Sequence, residues 1–262
     1  MKACLLIFCL LISSLSVAAI KEQTLDYMDG NTTLEGVLVY DDAWKGPRPV
    51  VVIIHQFMGL TEYEKMRARM LANEGYVAFA ADIYGKGVRP KTPAEAFQLV
   101  AKHMGDIPLY RSRVKAAVDF VATRGEVIAA KTVVMGYCFG GAGALEAARA
   151  NLDNVVGAVS FHGVLSTPNP QDTQNVKASI LVAHGAIDPI VPRTQVEGFL
   201  DEMNRANADY KFVAYANAVH SFTHQEAGDD PSDGVAYNEI ADKRSWRDFM
   251  DFLNEVAPTS VK

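Results

Sequence analysis

Cys138 stands in the run Val133-Val134-Met135-Gly136-Tyr137-Cys138-Phe139-Gly140-Gly141, where an apolar segment stops at a thiol bracketed by glycine. A nucleophile on a sharp strand-to-helix turn projects over the carboxyl edge of a sheet, and the crowded backbone there admits only small residues two positions before and after it. Gly136 and Gly140 hold those two positions. The pattern is a nucleophile elbow with sulfur in place of oxygen. The bland alternative is a small buried cysteine at a glycine-rich strand end.

A thiol nucleophile needs a base to take its proton, and the base needs an acid to fix its tautomer and stabilise its charge. In chain order the sequence supplies Cys138, Asp188 and His220. Asp188 lies in His184-Gly185-Ala186-Ile187-Asp188-Pro189-Ile190-Val191-Pro192, where its bland role is an Asx-turn or a cap ahead of the next helix. His220 lies in Ala218-Val219-His220-Ser221-Phe222 after a strand-like run, so both loops belong at the carboxyl edge. Acyl transfer also needs donors for the developing oxyanion. The backbone amide of Phe139 supplies one, and that of Phe57, in the loop His55-Gln56-Phe57-Met58-Gly59, supplies the other.

His55, Gln56, Tyr84, Tyr137, His162, Phe222 and His224 are candidates for the pocket wall. His184 is expected beside the acid loop and His103 on a helix surface. His220 and His224 alone among the histidines have i, i+4 spacing, and they sit on a loop, so no metal is expected. No cofactor is expected either.

Strand-like runs alternate with amphipathic segments along the chain. Residues 24–28 and 34–40, joined across Asp29-Gly30-Asn31, form an opening hairpin. Strands are expected at 50–54, 77–81, 132–135, 155–161, 180–183 and 210–215. Helices are expected at 64–73, 92–103, 108–123, from the elbow to about 150, and at 193–206 and 243–256. Strands separated by helix-length segments imply an α/β fold, a mostly parallel sheet with helices on both faces. Ligands then belong at the carboxyl ends of the strands. Residues 85–106 and the Gly-, Asp-, Pro- and Ser-rich 228–238 are candidates for a mobile cover.

Lys2, the ten apolar residues 3–12 and the small residues 13–19 have the order of a secretory signal peptide, with cleavage expected after Ala18 or Ala19. Residues 1–19 are therefore assigned to the signal and 20–262 to one domain, exported to a periplasm or secreted, with no stable membrane insertion after cleavage. Cleavage removes Cys4 and Cys9 and leaves Cys138 as the only thiol. A lone thiol in an oxidising compartment is either inert by burial or kept for its reactivity. The net charge of −6 is spread without a basic stripe, which argues against a nucleic-acid partner.

The chain resembles the dienelactone hydrolase family of α/β hydrolases over essentially the whole domain. The matching segments are 136–141, the Asp188 loop, 198–200, 218–222, 55–60 and Ala81-Asp82-Ile83-Tyr84-Gly85. The resemblance implies a cofactor-free Cys-His-Asp hydrolase opening small esters or lactones through a thioester. Two positions depart from the family pattern. Gln56 stands where the family has a glutamate beside the nucleophile, and His224 where it has an arginine that grips a dienelactone carboxylate. Arg111 and Arg113 are candidates to replace that arginine, although both read as helix-face residues. The rival readings are a small-molecule-binding scaffold that has lost turnover, for which Gln56 argues, and an acyltransferase with the same triad.

Overall fold

The computed structural model describes residues 20–259; the expected signal segment lies outside the described residues. The opening hairpin consists of β1 (Ile20–Asp29) and β2 (Thr32–Asp41), turning through Gly30 at φ 56°. β3 (Arg48–Ile54) follows, and all its residues are buried. Val50, Val52 and Ile54 enter one core while Val51 and Ile53 enter the other, as a central strand covered on both faces requires.

α1 (Glu62–Asn73) starts two residues before its expected position because Thr61 and Glu64 form a capping box. Then come β4 (Val77–Ala81), α2 (Pro93–Met104), α3 (Ile107–Ala122), β5 (Val127–Tyr137) and α4 (Phe139–Arg149). β5 is longer than the expected 132–135, since Val127 also pairs with Arg48 across a register shift in the ladder. The chain closes with β6 (Val155–Phe161), β7 (Ser179–Gly185), α5 (Arg193–Ala206), β8 (Tyr210–Tyr215) and α6 (Glu239–Val256). α6 begins four residues before the expected 243, capped by the Asn238 side chain on the Ala241 amide at 3.0 Å.

Among the described residues the strands form one eight-stranded sheet in the order β1-β2-β4-β3-β5-β6-β7-β8. β2 runs antiparallel to both its neighbours, and every pairing from β4 to β8 is parallel. Leu71 of α1 and Phe249 and Leu253 of α6 pack on the Val51 face; Val114 of α3, Leu145 of α4 and Met203 of α5 pack on the opposite face. The carboxyl ends of β3, β5, β6 and β7 therefore open on one edge. No helix among the described residues is long and apolar enough to cross a membrane.

Candidate active site

The elbow is set by the sheet. β5 lies between β3 and β6, and the chain leaves it through Cys138 at φ 54° and ψ −116° before α4 begins. A left-handed conformation at a residue with a Cβ costs of order 1–3 kcal/mol and persists only when its surroundings over-determine it. Here the Cys138 amide donates to the Phe161 carbonyl at 3.0 Å, and the Gly141 amide donates to the Cys138 carbonyl at 3.0 Å. A Cβ on Gly136 would overlap the Gly140 carbonyl, and one on Gly140 would overlap the Ile54 carbonyl. Both glycines are thus compulsory. The thiol is partly exposed, although every residue of α4 behind it is buried.

Asp188 carries both roles weighed for it. Its Oδ1 accepts from the amides of Ile190 at 2.8 Å and Val191 at 3.2 Å, an Asx-turn that fixes the carboxylate's direction. Its Oδ2 is then free to accept from His220 Nδ1 at 2.8 Å. Both side chains are almost fully buried. Burial opposes charge on the His220 imidazole, but the Asp188 hydrogen bond and the proximity of Cys138 and of the Asp188 charge outweigh it and raise the ring to about 10. Nε2 is buried with no hydrogen-bond partner, so its coupling to the neighbouring thiol is not closed into a hydrogen bond.

The His220 loop is held from behind. The His220 amide donates to the Gly234 carbonyl, the Ala236 amide donates to the His220 carbonyl, each at 3.1 Å, and the Asn238 amide donates to Phe222 at 3.0 Å. The 228–238 segment, expected as a mobile cover, is instead a clamp on the histidine. Backbone pairing, which composition does not reveal, makes the difference.

Opposite the elbow, residues 56–59 form a turn closed by the Gly59 amide on the Gln56 carbonyl at 3.1 Å. The amide of Phe57 projects from that turn and donates to no acceptor among the described residues. Tyr84 donates its hydroxyl to the Phe57 carbonyl at 2.8 Å. Burial first, then the proximity of Cys138 and Asp82, pushes the Tyr84 phenol upward and keeps that proton in place. Phe97 of α2 is exposed and its ring stacks on Phe57 at 5.4 Å.

Tyr137, His162 and Phe222 lie beneath the cleft, each essentially inaccessible. His162 packs edge to face against the His220 ring at 5.1 Å, and burial pushes it well below the usual imidazole range. His55 is likewise fully buried, whereas Gln56 keeps a sliver of exposure. His103 is not the surface residue expected: it is 1% exposed, because α2 turns that face onto Phe139 and Tyr110. His184 is buried near Asp188. His224 packs on the Tyr63 ring at 4.6 Å, where a groove of about 500 Å³ runs between α1 and α6; Cys138, Asp188 and His220 do not line it. Arg111 is committed to Glu146 and Asp172, and Arg113 to Asp29, at 2.8, 2.7 and 2.5 Å.

Two buried residues of the surroundings went unread in the sequence. Glu64 accepts from the Gln56 amide at 3.1 Å and from Thr61, and so ties the 56–59 turn to α1. The Thr61-Glu62-Tyr63-Glu64 spacing is a capping-box signature that could have placed it. Thr223 bridges Tyr63 and His162 at 2.7 and 2.8 Å, and nothing in its sequence context marks it.

A mostly parallel sheet with helices on both faces, a glycine-flanked strand-to-helix elbow after a central strand, and an acid–histidine pair on later strand ends together define an α/β-hydrolase fold. The chain matches the dienelactone hydrolase family over residues 34–257 and belongs to it, which makes it a carboxylic ester hydrolase. Among solved structures it is similar to a dienelactone hydrolase-like promiscuous phosphotriesterase from metagenomic libraries, at 35% identity and a TM-score of 0.85, covering 91% of this chain and 99% of the other. A Bradyrhizobium protein named "Probable 2-oxo-3-(5-oxofuran-2-ylidene)propanoate lactonase" is 28% identical over 87% of this chain and 93% of its own length. An uncharacterised Caenorhabditis elegans protein is 34% identical over 55% of this chain and 92% of its own.

Proposed function

We propose that the enzyme hydrolyses small esters or lactones through a thioester on Cys138. The single observation that carries this reading is the buried His220, whose Nδ1 is spoken for by Asp188 at 2.8 Å while Nε2, without a protein partner, is coupled to the thiol. With the imidazole raised to about 10, His220 rests protonated beside Cys138, and the sulfur lone pair forms a bond to the substrate carbonyl carbon as the C=O π pair moves to oxygen. The Phe57 and Phe139 amides stabilise that oxyanion. When the pair returns, the C–O bond breaks and the leaving alkoxide takes the proton from Nε2. Water then gives a proton to Nε2 and its oxygen to the thioester carbon, and collapse expels the thiolate beside the protonated ring as the acid leaves.

Neutral substrates fit this site better than carboxylate-bearing ones. Arg111 and Arg113 already hold carboxylates, and burial lowers His224 so that it is a poor cation near neutral pH. The lactonase and phosphotriesterase names of the relatives support activated, electrophilic esters as the broad class. A panel of neutral aryl esters and lactones beside their carboxylate-bearing analogues tests this. Wild type should turn over the neutral members and accumulate a mass adduct on Cys138, and Cys138→Ala should do neither; turnover by Cys138→Ala would place the chemistry elsewhere.

We also propose that the domain acts after export. N-terminal sequencing of exported protein should begin at Ala19 or Ile20, and an intact Met1 on exported protein would contradict the signal assignment.

A further inference from the structure

Each oxyanion donor must be aimed before substrate arrives, because a preorganised donor does not reorganise during the reaction. The Phe139 amide is fixed by the elbow and helix α4. The Phe57 amide belongs to a half-buried turn outside any helix or strand and needs another constraint. In a trans peptide the N–H of one residue and the C=O of the residue before it point in opposite directions, so whatever fixes the Gln56 carbonyl also aims the Phe57 N–H. Two donors converge on that carbonyl: the Gly59 amide at 3.1 Å and His55 Nδ1 at 2.6 Å.

The proton on Nδ1 is not arbitrary. The Ile83 amide points at His55 Nε2 from 3.2 Å and has only its N–H to offer, so Nε2 must be the acceptor and Nδ1 must carry the hydrogen of a neutral ring. Burial pushes the imidazole down despite the nearby charges of Glu64 and Asp82, which favours that neutral form. The other face of the arrangement is aromatic: the His55 ring stacks on the Phe139 ring at 5.8 Å, and Gly140 lies against the Ile54 and His55 carbonyls. One imidazole therefore touches the residues that supply both amides.

We propose that His55 is a positioning residue for the oxyanion hole, fixing the Gln56–Phe57 peptide plane and polarising its N–H by donating to its carbonyl. The proposal rests on the hydrolase reading above, in which the Phe57 amide receives the oxyanion. Hydrogen bonding at a peptide carbonyl strengthens the donor at the other end of the same group, so orientation and donor strength are lost together. A role limited to satisfying the Ile83 amide would affect stability alone.

The test compares wild type with His55→Met, which removes the donor at similar bulk, and His55→Asn, whose amide nitrogen takes the place of Nδ1. The readouts are kcat and KM for p-nitrophenyl acetate, the rate of Cys138 alkylation by iodoacetamide, and the carbonyl stretching frequency of a slowly hydrolysing cinnamoyl thioester on Cys138. His55→Met should lower kcat about 10- to 100-fold with little change in KM, as misplacement of one donor would. It should also raise the acyl carbonyl frequency and leave alkylation unchanged, because alkylation develops no oxyanion. His55→Asn should recover most of both. Wild-type kcat and carbonyl frequency in a folded His55→Met would overturn the proposal; if that variant does not fold, His55→Gln, whose amide lies at the Nε2 position facing the Ile83 amide and which has no nitrogen at the Nδ1 position, is read by the same criteria. Turnover by Cys138→Ala would instead overturn the hydrolase reading itself, and the two failures are thereby separated.

Discussion

Asp188 accepts three hydrogen bonds, two from its own loop and one from His220, so the carboxylate is oriented before it acts. Asp188→Asn keeps the Asx-turn but can present its amide nitrogen to His220, which disturbs the tautomer. Steady-state kinetics should show kcat reduced by about a hundredfold or more while the domain remains folded. The same contact predicts a pH dependence. His220 is raised from an unfolded value near 6.5 to about 10, so in that interval the native state binds the extra proton. Its contribution is fully present below pH about 6.5 and disappears as the pH rises through about 10. Denaturation midpoints measured across that window should fall with pH in wild type and fall less in Asp188→Asn; parallel curves would mean that the contact does not raise the imidazole.

The elbow works as an element because three backbones meet within it. Gly136 of β5, Gly140 of α4 and the carbonyls of Ile54 and His55 at the end of β3 leave no space for a methyl group. Gly140→Ala must push α4 away from β3, moving the Phe139 amide relative to Phe57. The expected result is a loss of about 1–3 kcal/mol in denaturant unfolding together with a fall in kcat larger than that stability loss alone would produce. An active, fully stable Gly140→Ala would show that the elbow relaxes without disturbing the site.

On the scale of the molecule, α4, α5 and the loop after β6 are tied together by a buried ion cluster rather than by apolar packing alone. Arg149 donates to Glu202 at 2.8 and 2.9 Å, to Glu146 at 3.0 Å and to the Leu165 carbonyl at 2.7 Å, and Arg149, Glu146 and Glu202 are all buried. Removing one partner of a buried ion pair strands the other's charge, at a typical cost of about 3–5 kcal/mol. Arg149→Leu should therefore lose about that much in chemical denaturation, although it lies at the far end of α4 from Cys138. A loss below about 1 kcal/mol would mean that Glu146 and Glu202 are adequately held by Arg111 and Thr173.

Much of this was legible in the chain because the signals are local. Periodicity marks each major strand and helix, glycines two residues either side of a thiol mark the elbow, and the order Cys138, Asp188, His220 follows from where strands end. Element ends were less legible: Thr61 and Asn238 extend their helices through caps, and β5 extends through a partner strand. Whether a residue faces solvent or the interior depends on segments far away in sequence. That is why His103 and the 228–238 segment were misread, and why the Tyr63–Thr223–His162 connection, spanning 160 positions between its first two members, left no mark. His55 is the sharpest case. Its type and place are plain in the sequence, but its work is decided by an amide from β4's loop, which only folding brings within 3.2 Å.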